Sequence, residues 1–212
     1  MIPKLHYISQ GNTAKEHLEN IQNACTSGAE LVQLCLENVS DVKFLEVAKE
    51  AREITSHFQT RLIINNNYKI AREVKADGVH LNNTNICPIV VRTHVYTWQI
   101  IGVTANTVKD CEKLIEKQVD YITLSPFSKL ATNTNVSNVL GLNGYTAVTE
   151  ALQTETPIIG FGGITTKDVV VILKAGISGV AVSEEITKNF DIIKEFNKLL
   201  KASSTEEQRH NF

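Results

Sequence analysis

Residues 61–85 read RLIINNNYKIAREVKADGVHLNNTN, and the way this stretch turns decides the fold. A short apolar run, Leu62 to Ile64, meets three asparagines, Asn65, Asn66 and Asn67. After one helix-length interval a second run, Val79 to Leu81, meets Asn82, Asn83, Thr84 and Asn85. Strands joined by such an interval pair in parallel, because parallel neighbours need a crossover. Both strands therefore deliver their polar residues to one end of a sheet. Those residues are neutral amides, where many enzymes place carboxylates.

The same rhythm runs outward through the chain. Candidate strands are Lys4–Ser9, Glu30–Leu36, Arg61–Asn65, Gly78–Leu81, Ile100–Thr104, Tyr121–Ser125, Pro157–Gly162 and Gly179–Ser183. Amphipathic stretches lie between them. In DVKFLEVAKEAREITSHF (41–58), the reading places Val42, Leu45, Val47, Ala48, Ala51 and Ile54 on one face. Eight such units in 212 residues fit an α/β fold of the (β/α)8 TIM-barrel type. A doubly wound open sheet is the rival; a count of eight and the lack of a polar edge strand favour closure. No linker divides the chain. The expected organisation is one barrel domain over 1–200 and a frayed polar tail, KASSTEEQRHNF, over 201–212. The longest connection, beginning at Phe127, is long enough to be functional or mobile.

Bulk chemistry narrows the function. A formal net charge of −2 gives no reason to expect nucleic acid or an anionic membrane as partner. No apolar run approaches the ~18 residues of a membrane span, and MIPKLHYISQGN has no signal-peptide core. Cys25, Cys35, Cys87 and Cys111 form no CxxC pair, which fits a reduced, cytoplasmic protein.

The segment PIIGFGGITTKDVVVILKAGISGVAVSEEI (157–186) points to an anion. Gly162 and Gly163 end a strand and Thr165 is placed to cap the next helix. A second strand ends at Val182 and Ser183, where another helix starts. Glycine lets backbone N–H groups approach an anion, and helix N-termini add partial positive charge. In this fold the turns after strands seven and eight form a common phosphate site. The plain alternative is that the glycines serve tight turns only. Glu184 and Glu185 follow directly, so their side chains must point away from a bound phosphate.

These residues carry a family likeness. VQL (32–34), IIN (63–65), KADGVHL (75–81), IIGVT (100–104), DYITLSPF (120–127), VLGLNGY (139–145), IIGFGGIT (158–165) and GVAV (179–182) resemble thiamine phosphate synthase and its relative, the thiazole tautomerase. The likeness runs in order to about Ile193. It implies a reaction joining a pyrimidine pyrophosphate to a thiazole phosphate: magnesium holds the pyrophosphate, which leaves, and the thiazole nitrogen attacks the pyrimidine carbocation. By this resemblance Gln33 and His80 fall at the pyrimidine contacts and Asn65 at the asparagine of the family's IND motif. Thr104 stands where the family has a serine, and Thr132 matches a loop threonine. Gly163 and Ser183 fall at the family's thiazole-phosphate turns; the turns themselves, apart from the resemblance, add Gly162 and Val182 as expected phosphate-binding residues.

The departures are equally consistent. Where the family reads QLRxK, this chain reads QLCLE, so Cys35 and Glu37 replace an arginine and a lysine. Asn66 and Asn85 occupy the family's two metal-binding aspartate positions, and Asn133 stands for a loop lysine. Pro126 aligns with the tautomerase histidine. Each synthase group lost handles pyrophosphate or its magnesium. Asparagine supplies oxygen without charge, and magnesium usually takes one or two carboxylates.

Plainer roles exist for several of these residues. His80 on a strand can be a core histidine with a satisfied ring. Cys35 can be a small buried hydrophobe, because a nucleophilic cysteine needs a neighbouring base or cation. Asn66 and Asn67 can cap the following helix. Three functions remain open: a synthase by descent with impaired catalysis, a metal-independent isomerase of a thiazole-phosphate-like compound, and a non-catalytic binder of a phosphorylated ligand. No cofactor is expected, magnesium entering only with retained synthase activity. The expected partner is a phosphorylated small molecule, and a homodimer is open to the chain.

Overall fold

A computed structural model describes residues 1–82, 85–128 and 139–209, with side chains through 202. The chain alternates strand and helix. Its first half runs β1 (Leu5–Ile8), α1 (Ala14–Thr26), β2 (Leu31–Leu34), α2 (Asp41–Phe58), β3 (Arg61–Asn65), α3 (Tyr68–Glu73), β4 (Gly78–Leu81) and α4 (Pro88–Arg92). Its second half runs β5 (Ile100–Ala105), α5 (Val108–Glu116), β6 (Tyr121–Leu124), α6 (Gly141–Ala151), β7 (Ile158–Phe161), α7 (Thr166–Lys174), β8 (Gly179–Val182), α8 (Glu184–Lys188) and α9 (Ile192–Arg209). All neighbouring strands pair in parallel, and β8 pairs with β1 to close the barrel. Closure removes both sheet edges, so the open-sheet rival is excluded.

Period-two alternation sorts the side chains. Leu5, Tyr7, Val32, Leu34, Leu62, Ile64, Ile101, Val103, Ile122 and Leu124 are buried in the core between strands and helices. Tyr121, Ile159 and Ala181 form a separate interior cluster with Ile2, Ile8, Ile100 and Phe161. Fully burying one such aliphatic or aromatic chain is worth about 1.5–3 kcal/mol. Gly102 on β5 makes room for the largest interior ring, since a Cβ there would lie 2.0 Å from Cζ of Tyr121.

A repeated device registers the strands at the N-terminal end. The residue just before an even-numbered strand accepts the N–H of an odd-numbered neighbour: Asp77 from Leu62 at 2.8 Å, Asp120 from Ile101 at 2.7 Å and Ser178 from Ile158 at 3.3 Å. Arg52 and Arg92 reach these two aspartates from α2 and α4 at 2.5 Å.

Two local readings change. In α2 the buried residues are Phe44, Val47, Ala48, Ala51 and Thr55, whereas Val42 is 71% exposed. Val42 lies two residues before Phe44, about 200° around the helix, and so faces solvent. Helix α9 also continues past residue 200 to Arg209. The 201–212 segment read as a frayed tail is therefore helical through Arg209.

Candidate active site

The eight strand C-termini surround one mouth. Interior-facing residues from five strands meet below it in a hydrogen-bonded ring of neutral groups. His6 Nε2 donates to the Pro3 carbonyl at 3.0 Å, which leaves Nδ1 to accept from Gln33 Nε2 at 3.4 Å. Gln33 Nε2 also points at the Tyr121 hydroxyl, 3.5 Å away. That hydroxyl pairs with His80 Nδ1 at 3.1 Å, and His80 Nε2 pairs with Thr104 Oγ1 at 2.9 Å. His80 stacks on the Tyr121 ring with centroids 5.6 Å apart. Both His80 nitrogens thus have partners, as in a satisfied core histidine.

Electrostatics keep this ring uncharged. Burial pulls His80 down to about 3, helped by neighbouring His6, and pulls His6 down to about 4. Burial likewise pushes the Tyr121 phenol well above its ordinary value. Cys35 is pushed up by burial and by the Glu37 carboxylate, against a hydrogen bond from Asn65 Nδ2 at 3.0 Å. None of these four groups is poised near neutral pH as general acid, base or nucleophile.

Among the described residues, three buried side-chain polar atoms have no hydrogen-bond partner: Gln33 Oε1, Asn65 Oδ1 and Thr123 Oγ1. Orphaned polar atoms at this depth carry a cost of about 1–3 kcal/mol each. They lie on β2, β3 and β6, where a ligand can relieve that cost.

Elsewhere the mouth is built from caps and turns. Asn66 adopts a left-handed conformation (φ 62°) and donates its backbone N–H to the His80 carbonyl at 2.6 Å. Asn67 caps α3, accepting from Ile70 N at 3.1 Å. Gly162 and Gly163 have φ of 108° and 63°, and a Cβ on Gly162 would lie 3.0 Å from Pro126. Thr165 closes a capping box with Asp168 at the start of α7. Ser128 N donates to the Gly162 carbonyl at 2.9 Å, so the root of the long connection lies against the glycine turn. Val182 is buried in the outer core, leaving only its backbone for a ligand, while Ser183 precedes α8. Glu184 is drawn along α8 by Lys188 at 2.7 Å.

The structure thus brings together Gln33, Asn65, His80 and Thr104; Thr132, Asn133 and most of the long connection lie outside the described residues. Sequence reasoning missed His6, Tyr121 and Thr123. Their signal was their parity on strands already identified: Tyr121 and Thr123 share an inward face with Ser125.

Taken alone, fold and site define a (β/α)8 barrel with an amide-lined mouth and glycine turns of phosphate-site type after β7. Residues 5–186 match the family model described as thiamine monophosphate synthase. The chain is 34% identical over 209 residues to a thiamine-phosphate synthase of Flavobacterium johnsoniae, covering 96% of this chain and 99% of that one. It is 35% identical over 206 residues to one of Flavobacterium psychrophilum, covering 94% and 100%. The solved thiamine phosphate pyrophosphorylase of Pyrococcus furiosus shares the fold, with a TM-score of 0.79, 23% identity, and coverage of 94% and 96%. The chain belongs to the thiamine monophosphate synthase family, and its function lies within that family's part of thiamine biosynthesis. Among the described residues no helix is long and apolar enough to cross a membrane.

Proposed function

We propose that this chain binds a phosphorylated small molecule of the thiazole phosphate or thiamine phosphate type and couples the family's two substrates feebly or not at all. The phosphate contacts the turn at Gly162 and Gly163 and the backbone at Val182 and Ser183; Gln33, Asn65, His80 and Thr104 contact the rings. The carrying observation is that amides, not carboxylates, follow two of the described strands: Asn66 and Asn67 after β3, Asn82 and Asn85 after β4. By the resemblance, Asn66 and Asn85 fall at the family's metal positions, and among the described residues no three His, Cys, Asp or Glu side chains converge. A hard divalent cation wants carboxylate oxygen, so these residues do not fit magnesium. A leaving pyrophosphate needs preorganised cations, yet Cys35 and Glu37 supply a thiol and a negative charge. The isomerase reading is weaker than the binding reading, because it needs a base near neutral pH and the described ring holds none.

Calorimetry with thiazole phosphate and thiamine phosphate tests this reading. Saturable binding by the unmodified chain, weakened by Gly163→Val in a folded variant, is the expected result. Unchanged affinity in that variant removes the phosphate assignment.

A further inference from the structure

A second series of hydrogen bonds enters the mouth from the side of α1. His17 on that helix is buried, and its ring closes on the turn after β1. Nε2 lies 3.1 Å from the Gly11 carbonyl, which can only accept, so Nε2 carries the ring proton. Glycine permits this approach, since a Cβ on Gly11 would lie 2.8 Å from Glu16 Cβ and 3.1 Å from His17 Cδ2. Nδ1 is then an acceptor, and the Ser9 hydroxyl donates to it at 2.8 Å. Burial pulls the His17 pKa below its ordinary value, against the Gly11 carbonyl and the Glu16 carboxylate, and favours this neutral form.

Ser9 passes the relay from helix to sheet. Its backbone N–H donates to the Gln33 carbonyl at 2.9 Å. With its hydroxyl proton on His17, Oγ accepts the Cys35 N–H at 3.1 Å. This side chain adds a rung between the β1 and β2 ends, one residue past the end of β2 at Leu34. The rung seats Cys35, whose Sγ accepts from Asn65 Nδ2 at 3.0 Å. With its nitrogen on sulfur, the Asn65 amide keeps Oδ1 buried and without a partner. Half a turn of the amide would exchange its donor and acceptor ends. The sulfur opposes that turn, and the sulfur is seated through Ser9 by His17.

We propose that His17 is a positioning residue for the ligand site: through Ser9 and Cys35 it holds the Asn65 amide with its carbonyl oxygen available to a ligand. The proposal rests on the reading that Asn65 contacts the bound ring. It adds the residues that decide which end of that amide is offered.

The test follows thiamine phosphate binding to the full chain by calorimetry, and labelling of Cys35 by iodoacetamide, read by mass spectrometry. His17→Leu keeps the bulk and removes the acceptor; Ser9→Ala breaks the same link with a smaller change and serves if His17→Leu does not fold. Each should weaken binding about fivefold, the effect of one hydrogen bond, and should speed Cys35 labelling. His17→Asn, whose Oδ1 can take the Ser9 proton, should return affinity to within about twofold of the parent. Lost packing alone would not be rescued in this way, because Asn fills less space than Leu. In an Asn65→Ala background His17→Leu should no longer change affinity, since the groups act in series. Parent-like affinity in folded Ser9→Ala overturns the proposal. An effect of His17→Leu that persists without the Asn65 side chain, or that His17→Asn does not rescue, overturns it as well. Failure of the unmodified chain to bind thiamine phosphate overturns the reading beneath it. Labelling then decides the relay by itself: faster modification of Cys35 in Ser9→Ala supports it, and an unchanged rate overturns it.

Discussion

Removing one oxygen from the α6 tyrosine tests how the phosphate-turn geometry is held. Tyr145 Oη donates to the Leu124 carbonyl at 2.8 Å and accepts the Phe161 N–H at 3.0 Å, which ties α6 to the ends of β6 and β7. Its ring fills the space over Gly160, where a Cβ would lie 2.8 Å from Cε2. Burial pushes the phenol pKa up, so it stays neutral throughout the physiological range. Tyr145→Phe keeps the ring and opens no large cavity, so the cost is that of two buried backbone groups losing a partner. That amounts to about 2 kcal/mol, within the ~1–3 kcal/mol range for an unsatisfied buried group. For a domain of this size, about 2 kcal/mol lowers Tm by roughly 4–8 °C. Urea unfolding followed by circular dichroism reads the change. Phosphate-ligand affinity should also fall, because Phe161 immediately precedes the Gly162 turn. A loss below about 0.5 kcal/mol, with unchanged ligand affinity, would refute the claim that this hydroxyl organises the strand ends.

Three further outcomes are expected. Asp120→Ala should cost about 2 kcal/mol in urea unfolding, since it strips partners from both Arg92 and Ile101 N; a change near zero would show that the pair, about a third exposed, is screened to insignificance. Gly162→Ala should destabilise measurably, because φ of 108° is unfavourable for an L side chain and its Cβ would press on Pro126; thermal melts identical to the parent would contradict this. Stability should fall as pH drops below about 6.5: the unfolded chain then protonates His6 and His80, while the folded chain does so only near 4 and 3. The loss should level off below those values and reach on the order of 3 kcal/mol for His6 and 5 kcal/mol for His80. Urea midpoints at pH 7 and pH 4.5 that match for the parent would oppose it, as would an undiminished pH slope in the His6→Gln/His80→Gln variant.

Much of the architecture was legible because short apolar strands and helical intervals repeat through most of the chain. The turn at Gly162 and Gly163 and the Asn67 cap were also readable, because their chemistry is local. Side-chain closures across the fold were not. Arg52 and Asp77 are 25 residues apart, and Tyr145 meets backbone groups that any residue could supply. Val42 is apolar yet exposed, because helical angle and not apolar character sets which face of α2 a residue occupies. The helical reach of α9 followed from Lys, Ala, Glu, Gln and Arg, good helix formers in a segment without an apolar face. Sequence showed which amides stand at the mouth. It could not show that Gln33 directs its N–H₂ group to His6 and Tyr121, or that Gln33 and Asn65 leave their oxygens unpaired.

The most direct test of the central claim is a titration of inorganic pyrophosphate into the unmodified chain, with and without magnesium, alongside a synthase assay with both family substrates. The neutral mouth should give no more than a few-fold enhancement by magnesium and negligible thiamine phosphate formation. Asn66→Asp/Asn85→Asp should restore magnesium dependence without restoring turnover, which should rise only when Cys35→Arg, Glu37→Lys and Asn133→Lys are added. Tight magnesium-dependent pyrophosphate binding with brisk turnover in the unmodified chain would contradict the claim.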